Sequence, residues 1–498
     1  MPSRLLKTNA ITEFGDFQTP LSLARNAVRV LRALAIRPRA ILEPTCGRGA
    51  FLAAAAAKFP HVRTIVGVDI NGEHLDAAAS VLRRSRRRVD LLRGDFFRFD
   101  WQSLVTKENG PWLIVGNPPW VTNATLGAIA SDNVPKKSNL HGARGIDAIT
   151  GKSNFDISEW MILRYLDWLD GAPGAVAVLC KTMVARKVLR YVWGMDAGLR
   201  SARIYKIDSL AHFGAAVDAC FLVLELEPRA RAACCDVYDS LEALEPIETL
   251  RLAHGHIITD IATFDRHRHL LGPDNRYVWR SGIKHDCAKV MELTPIGDRY
   301  RNALGELVAL EGQFLFPLLK TSDIGNGRSE PRVAVIVTQR RVGEDTDSIR
   351  SSAPKTWAYL ARHATRFDKR GSAIYRGKPS FSIFGVGPYT FAPWKVAISA
   401  LYKRLQFVKV GPSHGRPVVF DDTVYFLPCA SEDEASFIET LLTSELTHAF
   451  FHSMIHWDVK RPITIDILKR LSLRKLASTL GLAATYDRFQ RAAETSHV

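Results

Sequence analysis

The sequence lacks any apolar run of the roughly 18 residues that a membrane-spanning helix needs. The apolar run around Ala172 to Leu179 is interrupted by Pro173 and Gly174. The N-terminal residues contain no apolar segment of the kind that a secretory signal carries, so we expect no such signal. These absences predict a cytoplasmic protein that has no membrane partner.

Cysteine is scarce, and its seven copies include no C-x-x-C pair. This absence argues against a structural zinc site or a redox centre, and we expect reduced, mostly buried thiols. The second half of the chain also lacks metal-ligand spacing, a nucleophile motif and a convincing PD-(D/E)-x-K nuclease arrangement. No metal site is therefore predicted.

What the sequence does contain is an excess of positive charge. It has 67 Lys and Arg against 51 Asp and Glu, a net charge of +16, over 498 residues. A field of this sign favours a polyanionic partner, with nucleic acid first. The length predicts at least two domains, and a composition of 47% apolar and 24% charged residues is that of an ordinary globular protein.

Short apolar runs alternate with helical patterns through the first half of the chain. Apolar residues at helical spacing predict a helix over Leu21 to Leu34, and Pro38 prevents it from running further. The runs AILEP, TIVGVDI, VDLLRGD and WLIVGN are predicted strands, separated by helical segments of 10 to 15 residues. This alternation is typical of a doubly wound, mostly parallel α/β sheet, in which ligands bind at the carboxyl ends of the strands.

The predicted strand ends carry groups that suit a nucleotide. The first strand leads into the turn EPTCGRGAF, where Gly47 and Gly49 allow a close backbone approach before a helix begins. Asp69 ends the second strand and could accept from both hydroxyls of a ribose, while Asp95 ends the third and could accept from an adenine amine. Either aspartate alone would be interpreted as a helix cap or turn residue. The ordered set of strand-end carboxylates, which begins with Glu43, favours a nucleotide site.

The fourth strand ends in Asn117-Pro118-Pro119-Trp120. The two prolines remove two amide donors, so this turn presents carbonyl acceptors on a stiff backbone. The Asn117 side-chain oxygen and the Pro118 carbonyl could each accept one hydrogen of an aromatic amine and free its lone pair to attack a methyl group. Trp120 offers a face for a planar base. The alternative interpretation is a proline-rich turn with a core tryptophan.

The order of Phe17-Gln18-Thr19-Pro20, EPTCGRGAF, VDI, GDFF and NPPW resembles the γ-type class of S-adenosylmethionine-dependent DNA adenine-N6 methyltransferases, including those of restriction–modification systems. The resemblance covers roughly residues 14 to 226. It implies a Rossmann-like class I methyltransferase domain over residues 1–228. A mixed α/β target-recognition domain with a helical C-terminal region would follow over residues 229–498.

The resemblance also implies roles for individual residues. S-adenosyl-L-methionine would be the cofactor, held by Thr19, Glu43, Cys46, Gly47, Gly49, Asp69, Asp95 and Phe96. Of these, Thr19 would meet the methionine carboxylate, Glu43 the methionine ammonium, Asp69 the ribose, and Asp95 with Phe96 the adenine. The target adenine, rotated out of the duplex, would be held by Asn117, Pro118, Pro119 and Trp120, with Phe213 as a second aromatic. Two departures are Trp120, where Tyr or Phe is commoner, and the bulky Arg48, which must point away from the cofactor.

The second half of the chain carries the densest positive charge. Between Arg328 and Arg416 there are 17 Lys and Arg against 5 Asp and Glu, with aromatic residues interleaved. The basic groups would bind phosphates, and the aromatic side chains could reach bases or hold the scaffold. Double-stranded DNA is therefore the expected partner, and a separate restriction endonuclease is a further one.

Several predictions of local structure accompany this interpretation. The segment from Glu227 to Ala232 is predicted to be the interdomain linker, and the irregular residues 121–154 to be a mobile clamp over DNA. One helix is expected over Glu432 to Phe451 and another over Pro462 to Leu476.

Two rival functions remain open. One is the same chemistry on an RNA base or a protein glutamine. The other is a non-catalytic DNA-binding specificity subunit built on an inactive methyltransferase scaffold.

Overall fold

A computed structural model describes residues 18–495 apart from 84, 86–88, 107–109, 122–155, 170–171, 196–197, 216 and 275. The clamp predicted over residues 121–154 falls almost wholly on residues outside this description. The chain divides into two compact units, the first ending at Thr259 and the second beginning at Asp260. Among the described residues, no helix combines the length and apolarity needed to cross a membrane.

The first unit alternates strands and helices as the sequence pattern predicts. Its strands are β1 (Ala40–Glu43), β2 (Thr64–Asp69), β3 (Asp90–Arg93), β4 (Trp112–Gly116), β5 (Gly174–Lys181), β6 (Leu199–Ile207), β7 (Ala219–Leu226), β8 (Cys234–Tyr238), β9 (Glu248–Ala253) and β10 (His256–Ile258). Its helices are α1 (Leu21–Ala33), α2 (Ala50–Lys58), α3 (Gly72–Leu82), α4 (Trp101–Val105), α5 (Ile157–Leu169), α6 (Thr182–Met195) and α7 (Ser209–Phe213).

These strands form one sheet in the order β10-β9-β8-β6-β7-β5-β4-β1-β2-β3. Strands β5, β4, β1, β2 and β3 run parallel to one another, and β7 pairs antiparallel with both β5 and β6. The strand order reverses between β1 and β4, since β2 and β3 lie on one side of β1 while β4 and β5 lie on the other. In doubly wound sheets, ligands bind outside the carboxyl ends of the strands at such a point.

The sheet is buried on both faces because its central strands are apolar throughout. Leu42, Val68 and Ile114 belong to a core that includes α5 and α6. Their strand neighbours, among them Ile41 and Leu113, point to the opposite face and pack in a second core with α1 and α2. Burial on both faces explains why these strands appear in the sequence as continuous apolar runs.

The first unit extends beyond the predicted boundary at residue 228. The segment from Glu227 to Ala232 is a tight turn, in which the amide of Glu227 donates to the Gly198 carbonyl and that of Ala232 to the Leu199 carbonyl. It leads directly into β8, which pairs with β6, and β9 and β10 then extend the same sheet. The prediction of an interdomain linker here was therefore wrong, and the boundary lies after Thr259.

The second unit is mixed α/β. Its strands are β11 (Arg280–Ser281), β12 (Glu292–Ile296), β13 (Arg299–Asn302), β14 (Leu307–Val308), β15 (Leu315–Leu319), β16 (Val333–Ile336), β17 (Trp394–Ser399), β18 (Phe407–Val410), β19 (Val419–Phe420) and β20 (Val424–Cys429). Its helices are α8 (Ile261–His267), α9 (Ala288–Met291), α10 (Thr321–Gly325), α11 (Ile349–Ser352), α12 (Pro354–Arg362), α13 (Ala364–Asp368), α14 (Glu432–Leu442), α15 (Glu445–His452), α16 (Ile465–Leu468), α17 (Leu473–Thr479) and α18 (Ala483–Thr495). The strands make two sheets, β11-β20-β17-β18 and β14-β13-β12-β16-β15-β19.

Two predicted C-terminal helices are each divided in the structure. The helix expected over Glu432 to Phe451 is broken between α14 and α15, where the Ser444 hydroxyl accepts from the amide of Thr447 and caps a new helix. The second prediction resolves into α16 and α17, which Thr464 and Ser472 cap in the same way. A hydroxyl that accepts from a free amide in the first turn favours the start of a new helix over continuation of the preceding one. The apolar spacing alone could not reveal these helix starts.

Candidate active site

Four polar side chains meet at the carboxyl edge of the parallel strands. Glu43 ends β1 and Asp69 ends β2. Asp95 lies two residues after β3, and Asn117 directly follows β4. Because these strands are parallel and adjacent, their ends share one edge of the sheet. The structure therefore brings together the strand-end groups that the sequence placed far apart along the chain.

Asp69 organises the turn that follows β1. Its Oδ2 accepts from the amide of Gly47 at 2.8 Å, and its Oδ1 accepts from the amide of Asn71 at 2.8 Å. A carboxylate has about four acceptor positions, so these two bonds leave capacity for the hydroxyls of a ligand. The carboxylate is thus fixed in place and still able to bind.

The turn needs glycine at two positions. Gly47 and Gly49 have φ of 48° and 76°, a left-handed conformation that side chains disfavour. A Cβ on Gly47 would also lie 2.7 Å from Gln18 Oε1, and one on Gly49 would lie 2.9 Å from Ala78 Cβ. The Gln18 oxygen in turn accepts from the amide of Arg48 at 3.0 Å. Helix α2 begins directly after this turn, so its first amides face the same edge of the sheet.

Glu43 is a buried carboxylate with unused binding capacity. It is 3% exposed, and its Oε2 has no hydrogen-bond partner. Burial raises the pKa of Glu43 well above its ordinary value of 4.5, and the charge of Asp69 adds to this, while the amide of Leu52 opposes it. A Cβ on Gly116 would lie 3.2 Å from Glu43 Cγ, so the glycine leaves open the space beside the carboxyl group. A buried acceptor of this kind suits a cationic ligand group.

The other residues predicted to bind the cofactor surround this edge. Cys46 is buried, its amide donates to the Val68 carbonyl at 2.9 Å, and burial together with the charges of Glu43 and Asp69 raises the pKa of its thiol. The sulfur is therefore a protonated packing group, and it is the backbone of this residue that shapes the turn. Thr19 is half-buried two residues before α1.

Asp95 and Phe96 occupy different environments although they are neighbours. Asp95 accepts from the amide of Phe97 at 2.9 Å and keeps a partly exposed carboxylate, with Arg98 Nε 3.6 Å from Oδ2. The ring of Phe96 is 8% exposed and packs in a cluster of five aromatic rings: Phe97, Trp101, Trp160, Tyr165 and Trp168. Little of this ring is available to a ligand, whereas the adjacent Phe97 is only half-buried.

The turn after β4 places two aromatic rings side by side. Trp120 is 6% exposed, and its Nε1 donates to the Leu179 carbonyl at 3.3 Å. The ring of Phe213, which ends α7, meets it edge to face with centroids 5.2 Å apart. Phe213 is half-buried and so is the more accessible ring of the pair. Pro118 is buried and Asn117 and Pro119 are half-buried beside them.

Sequence reasoning missed two residues at this edge. Gln18 belongs to a motif that the sequence presented, but its contact with the Gly47 turn depends on the fold. Lys181, at the end of β5, donates to the Trp120 carbonyl at 3.0 Å and to Asp156 Oδ2 at 2.6 Å. Nothing in the sequence pairs residue 181 with residue 120, because β4 and β5 become neighbours only in the sheet.

The basic stretch from residue 328 to 416 lies in the second unit, and most of its basic side chains are exposed. Its aromatic residues are largely scaffold, since Tyr359, Phe367 and Phe381 are buried in one core. Lys395 is also internal: its ammonium donates to two backbone carbonyls, and burial lowers its pKa to about 7. The sequence left two roles open for these aromatic side chains, contact with bases and support of the scaffold. The buried ones support the scaffold.

The fold is that of the class I S-adenosylmethionine-dependent methyltransferases, and the predicted fold class is confirmed. The chain is 43% identical over 470 residues to the type II methyltransferase M.NspV of Nostoc sp. (strain ATCC 29411 / PCC 7524). The match covers 94% of this chain and 98% of that protein. The chain belongs to the type II methyltransferase family.

Two solved structures are similar to this chain, and the first of them supports the fold. The type IIL restriction–modification enzyme MmeI, solved in complex with DNA, matches 95% of this chain with a TM-score of 0.54 at 14% identity, and this chain spans 66% of the MmeI chain. A type I restriction–modification methyltransferase subunit from Streptococcus thermophilus matches 50% of this chain and 51% of its own, at 13% identity and a TM-score of 0.34. No protein-family model matches the chain.

Proposed function

We propose that this protein transfers a methyl group from S-adenosyl-L-methionine to the N6 amine of an adenine in duplex DNA, as part of a restriction–modification system. The observation that carries the proposal is the pair of sites at one sheet edge. Glu43 offers a buried acceptor oxygen without a partner, and the Asn117 to Trp120 turn follows the adjacent strand. The family to which the chain belongs and the γ-type order of its motifs support this interpretation.

The described residues fit the cofactor. Glu43 would accept from the methionine ammonium, Asp69 from the ribose hydroxyls and Asp95 from the adenine amine, while Thr19 would meet the carboxylate. The open space beside Glu43 and the close backbone of Gly47 suit a ligand that runs along the strand ends. When bound, S-adenosylmethionine supplies a methyl group on a sulfonium centre.

The Asn117 turn would hold the substrate amine. The Asn117 oxygen and the Pro118 carbonyl would each accept one N6 hydrogen, which draws the nitrogen lone pair out of the ring and directs it toward the methyl group. The amine then loses a proton after transfer, so no general base is needed beforehand. Rotation of the base out of the duplex costs a few kcal/mol, and contact with the half-buried ring of Phe213 would offset part of this.

A comparison of substrates tests the proposed function. We expect labelled methyl groups to enter duplex DNA as N6-methyladenine, with little incorporation into RNA or protein of the same cells. Incorporation into RNA or a protein glutamine instead would contradict the DNA assignment. Failure to bind S-adenosylmethionine would favour a non-catalytic specificity subunit.

The affinity for S-adenosylmethionine should depend on pH through Glu43. Because burial raises the pKa of this carboxyl, a cationic ligand must displace its proton, and affinity should rise with pH by up to about tenfold per unit until that pKa is reached. Calorimetry between pH 5 and pH 7, below the roughly 7.8 at which a free α-amino group titrates, measures this slope. Glu43→Gln should bind more weakly and with a flatter profile. A wild-type affinity that is flat across this range would contradict the role.

The same pKa shift has a consequence for the stability of the free protein. The folded-state pKa of Glu43 lies above its ordinary value of 4.5, so folding favours the protonated form. The contribution of Glu43 to stability is therefore greatest below pH 4.5 and is lost as the pH rises from there through the folded-state pKa. Ligand binding above that range should restore stability.

The exposed basic groups of the second unit are proposed to contact the DNA backbone. A groove of about 410 Å³ is lined by residues between Ala364 and Phe381 and carries Arg376 and Lys378, both exposed, at its edge. Arg370, held by the Ser382 carbonyl at 2.7 Å and lying 3.6 Å from the centroid of Tyr375, fixes the segment in shape. The groove therefore presents two exposed cations in a segment that the contacts of Arg370 help to hold.

Removal of these two cations should weaken DNA binding without altering its sequence preference. In the double variant Arg376→Ala, Lys378→Ala, we expect affinity to fall about tenfold at low salt and the log–log salt slope to decrease by up to about 2. The double variant Lys58→Ala, Arg83→Ala is the control. These residues end helices α2 and α3, which run antiparallel to the strands and so end at the edge of the sheet away from the site. An unchanged slope in the first variant would contradict this placement.

A further inference from the structure

An ion pair lies directly behind the Asn117 to Trp120 turn. Lys181 is the last residue of β5, and its ammonium donates to Asp156 Oδ2 at 2.6 Å and to the Trp120 carbonyl at 3.0 Å. The lysine therefore links the end of the turn to a carboxylate that lies 36 residues later in the sequence. Neither Lys181 nor Asp156 belongs to the motifs that resemble the γ-type methyltransferases.

The carboxylate of this pair is itself fixed. Asp156 is 7% exposed, and its Oδ1 accepts from the amide of Ser158 at 3.1 Å and from its hydroxyl at 2.5 Å. Next to it, the amide of Ile157 donates to the Val121 carbonyl at 2.9 Å. These bonds hold the Asp156 carboxylate in place, and the carboxylate in turn holds the ammonium within reach of the Trp120 carbonyl.

The turn has an unusual need for such a donor. Pro118 and Pro119 have no amide hydrogen, so the turn cannot be tied down through these two residues. The structure instead holds Trp120 from β5 at two points. Its indole donates to the Leu179 carbonyl, and its own carbonyl accepts from Lys181. Both partners lie near the end of β5, so this one strand holds Trp120 through a backbone carbonyl and through a side-chain ammonium.

We propose that Lys181 is a positioning residue for methyl transfer, which sets the Asn117 and Pro118 acceptors through its bond to Trp120, with Asp156 as its counter-ion. The inference rests on the proposed function, because that function gives the turn its chemistry. Acceptors that are misplaced by about 1 Å can cost about a hundredfold in rate. Removal of the ammonium should therefore reduce the rate of the chemical step and leave cofactor binding almost unchanged.

The chain offers a matched control in the next helix. Lys187 of α6 donates to the buried carboxylate of Glu159 at 2.8 Å. This pair resembles the first in its partners and in the burial of its carboxylate, and both carboxylates lie within four residues of one another at the start of α5. Its bond joins two helices and does not involve the Asn117 turn.

The test measures single-turnover methyl transfer to duplex DNA that contains the protein's own methylation site, with cofactor affinity measured in parallel by calorimetry. Lys181→Met should lower the rate about 30- to 100-fold with a cofactor Kd within about twofold of wild type. For Lys187→Met, the transfer rate and the cofactor Kd should both stay within about threefold of wild type. Asp156→Asn keeps an acceptor oxygen, so its transfer rate should fall less than that of Lys181→Met. The double variant Asp156→Asn, Lys181→Met should be no slower than Lys181→Met alone, because the two residues act as one unit.

The outcomes separate the inference from the function on which it rests. The positioning role is overturned, while the function stands, if wild type methylates adenine and the transfer rate of Lys181→Met is within about threefold of the wild-type rate. The same conclusion follows if Lys187→Met loses as much rate as Lys181→Met. If wild type methylates no adenine, both are overturned. Partial recovery in Lys181→Arg, which can keep both bonds, supports the role of the cation.

Discussion

Replacement of Asn117 with alanine is expected to lower methyl transfer by about a thousandfold while S-adenosylmethionine binding stays within about twofold. In the proposed mechanism Asn117 provides an acceptor for the substrate amine, and removal of one preorganised polar group from a reacting centre typically costs about 10²- to 10³-fold. Glu43 and Asp69, which hold the cofactor in the proposed mechanism, lie on other strands and are unchanged. Single-turnover transfer of labelled methyl groups and calorimetry measure the two quantities separately.

Two further variants sharpen this prediction. Asn117→Asp keeps acceptor oxygens at the same position, so it should retain more activity than Asn117→Ala. Asn26→Ala removes another half-buried amide of the same unit, one that donates to Glu242 at 2.9 Å, and should leave transfer close to wild type. Full activity in Asn117→Ala would contradict the mechanism, whatever the other variants do.

The second large effect concerns Asp69. Asp69→Ala should raise the Kd for S-adenosylmethionine by about 10²- to 10⁴-fold. The carboxylate would accept two ribose hydroxyls, hydrogen bonds to a charged group are worth about 1.5–3 kcal/mol each, and about 1.4 kcal/mol corresponds to a tenfold change in affinity. The variant also loses the bonds that hold the amides of Gly47 and Asn71, so the turn itself would be displaced.

The loss of those two amide contacts gives a separate and smaller effect on stability. We expect the free energy of unfolding in urea to fall by about 1–3 kcal/mol, because two backbone donors lose their acceptor. Asp76→Ala, at an exposed position on α3, is the control and should alter neither quantity. An Asp69→Ala protein that binds the cofactor normally would refute the assignment of the ribose site, even if its stability fell as expected.

The sequence predicted the first unit well because its signals are local. Each strand is a short apolar run, each is followed by a helix, and the polar residues that matter stand where the runs end. The parallel pairing of neighbouring strands then brings Glu43, Asp69 and Asn117 to one edge without any further information. The sequence could therefore predict both the fold class, which is confirmed, and the set of residues that the structure gathers there.

What could not be predicted depends on contacts between distant segments. The bond from Lys181 to Trp120 exists because β5 pairs with β4, and the antiparallel β7 brings Phe213 to the same place. Charge counting could not separate an exposed Arg376 from Lys395, whose ammonium is buried against two carbonyls. The end of the first unit was missed because a turn with Pro228 and two arginines looks like a linker until β8 is seen to pair with β6.

The central claim is that the turn after β4 methylates adenine N6 in DNA. The most direct test is to express the protein in cells that lack adenine methylation and to map N6-methyladenine across their DNA, with Asn117→Ala as the matched control. The account predicts N6-methyladenine at one defined sequence with wild type and none with the variant. Unmethylated adenine in both, or equal methylation in both, would contradict it.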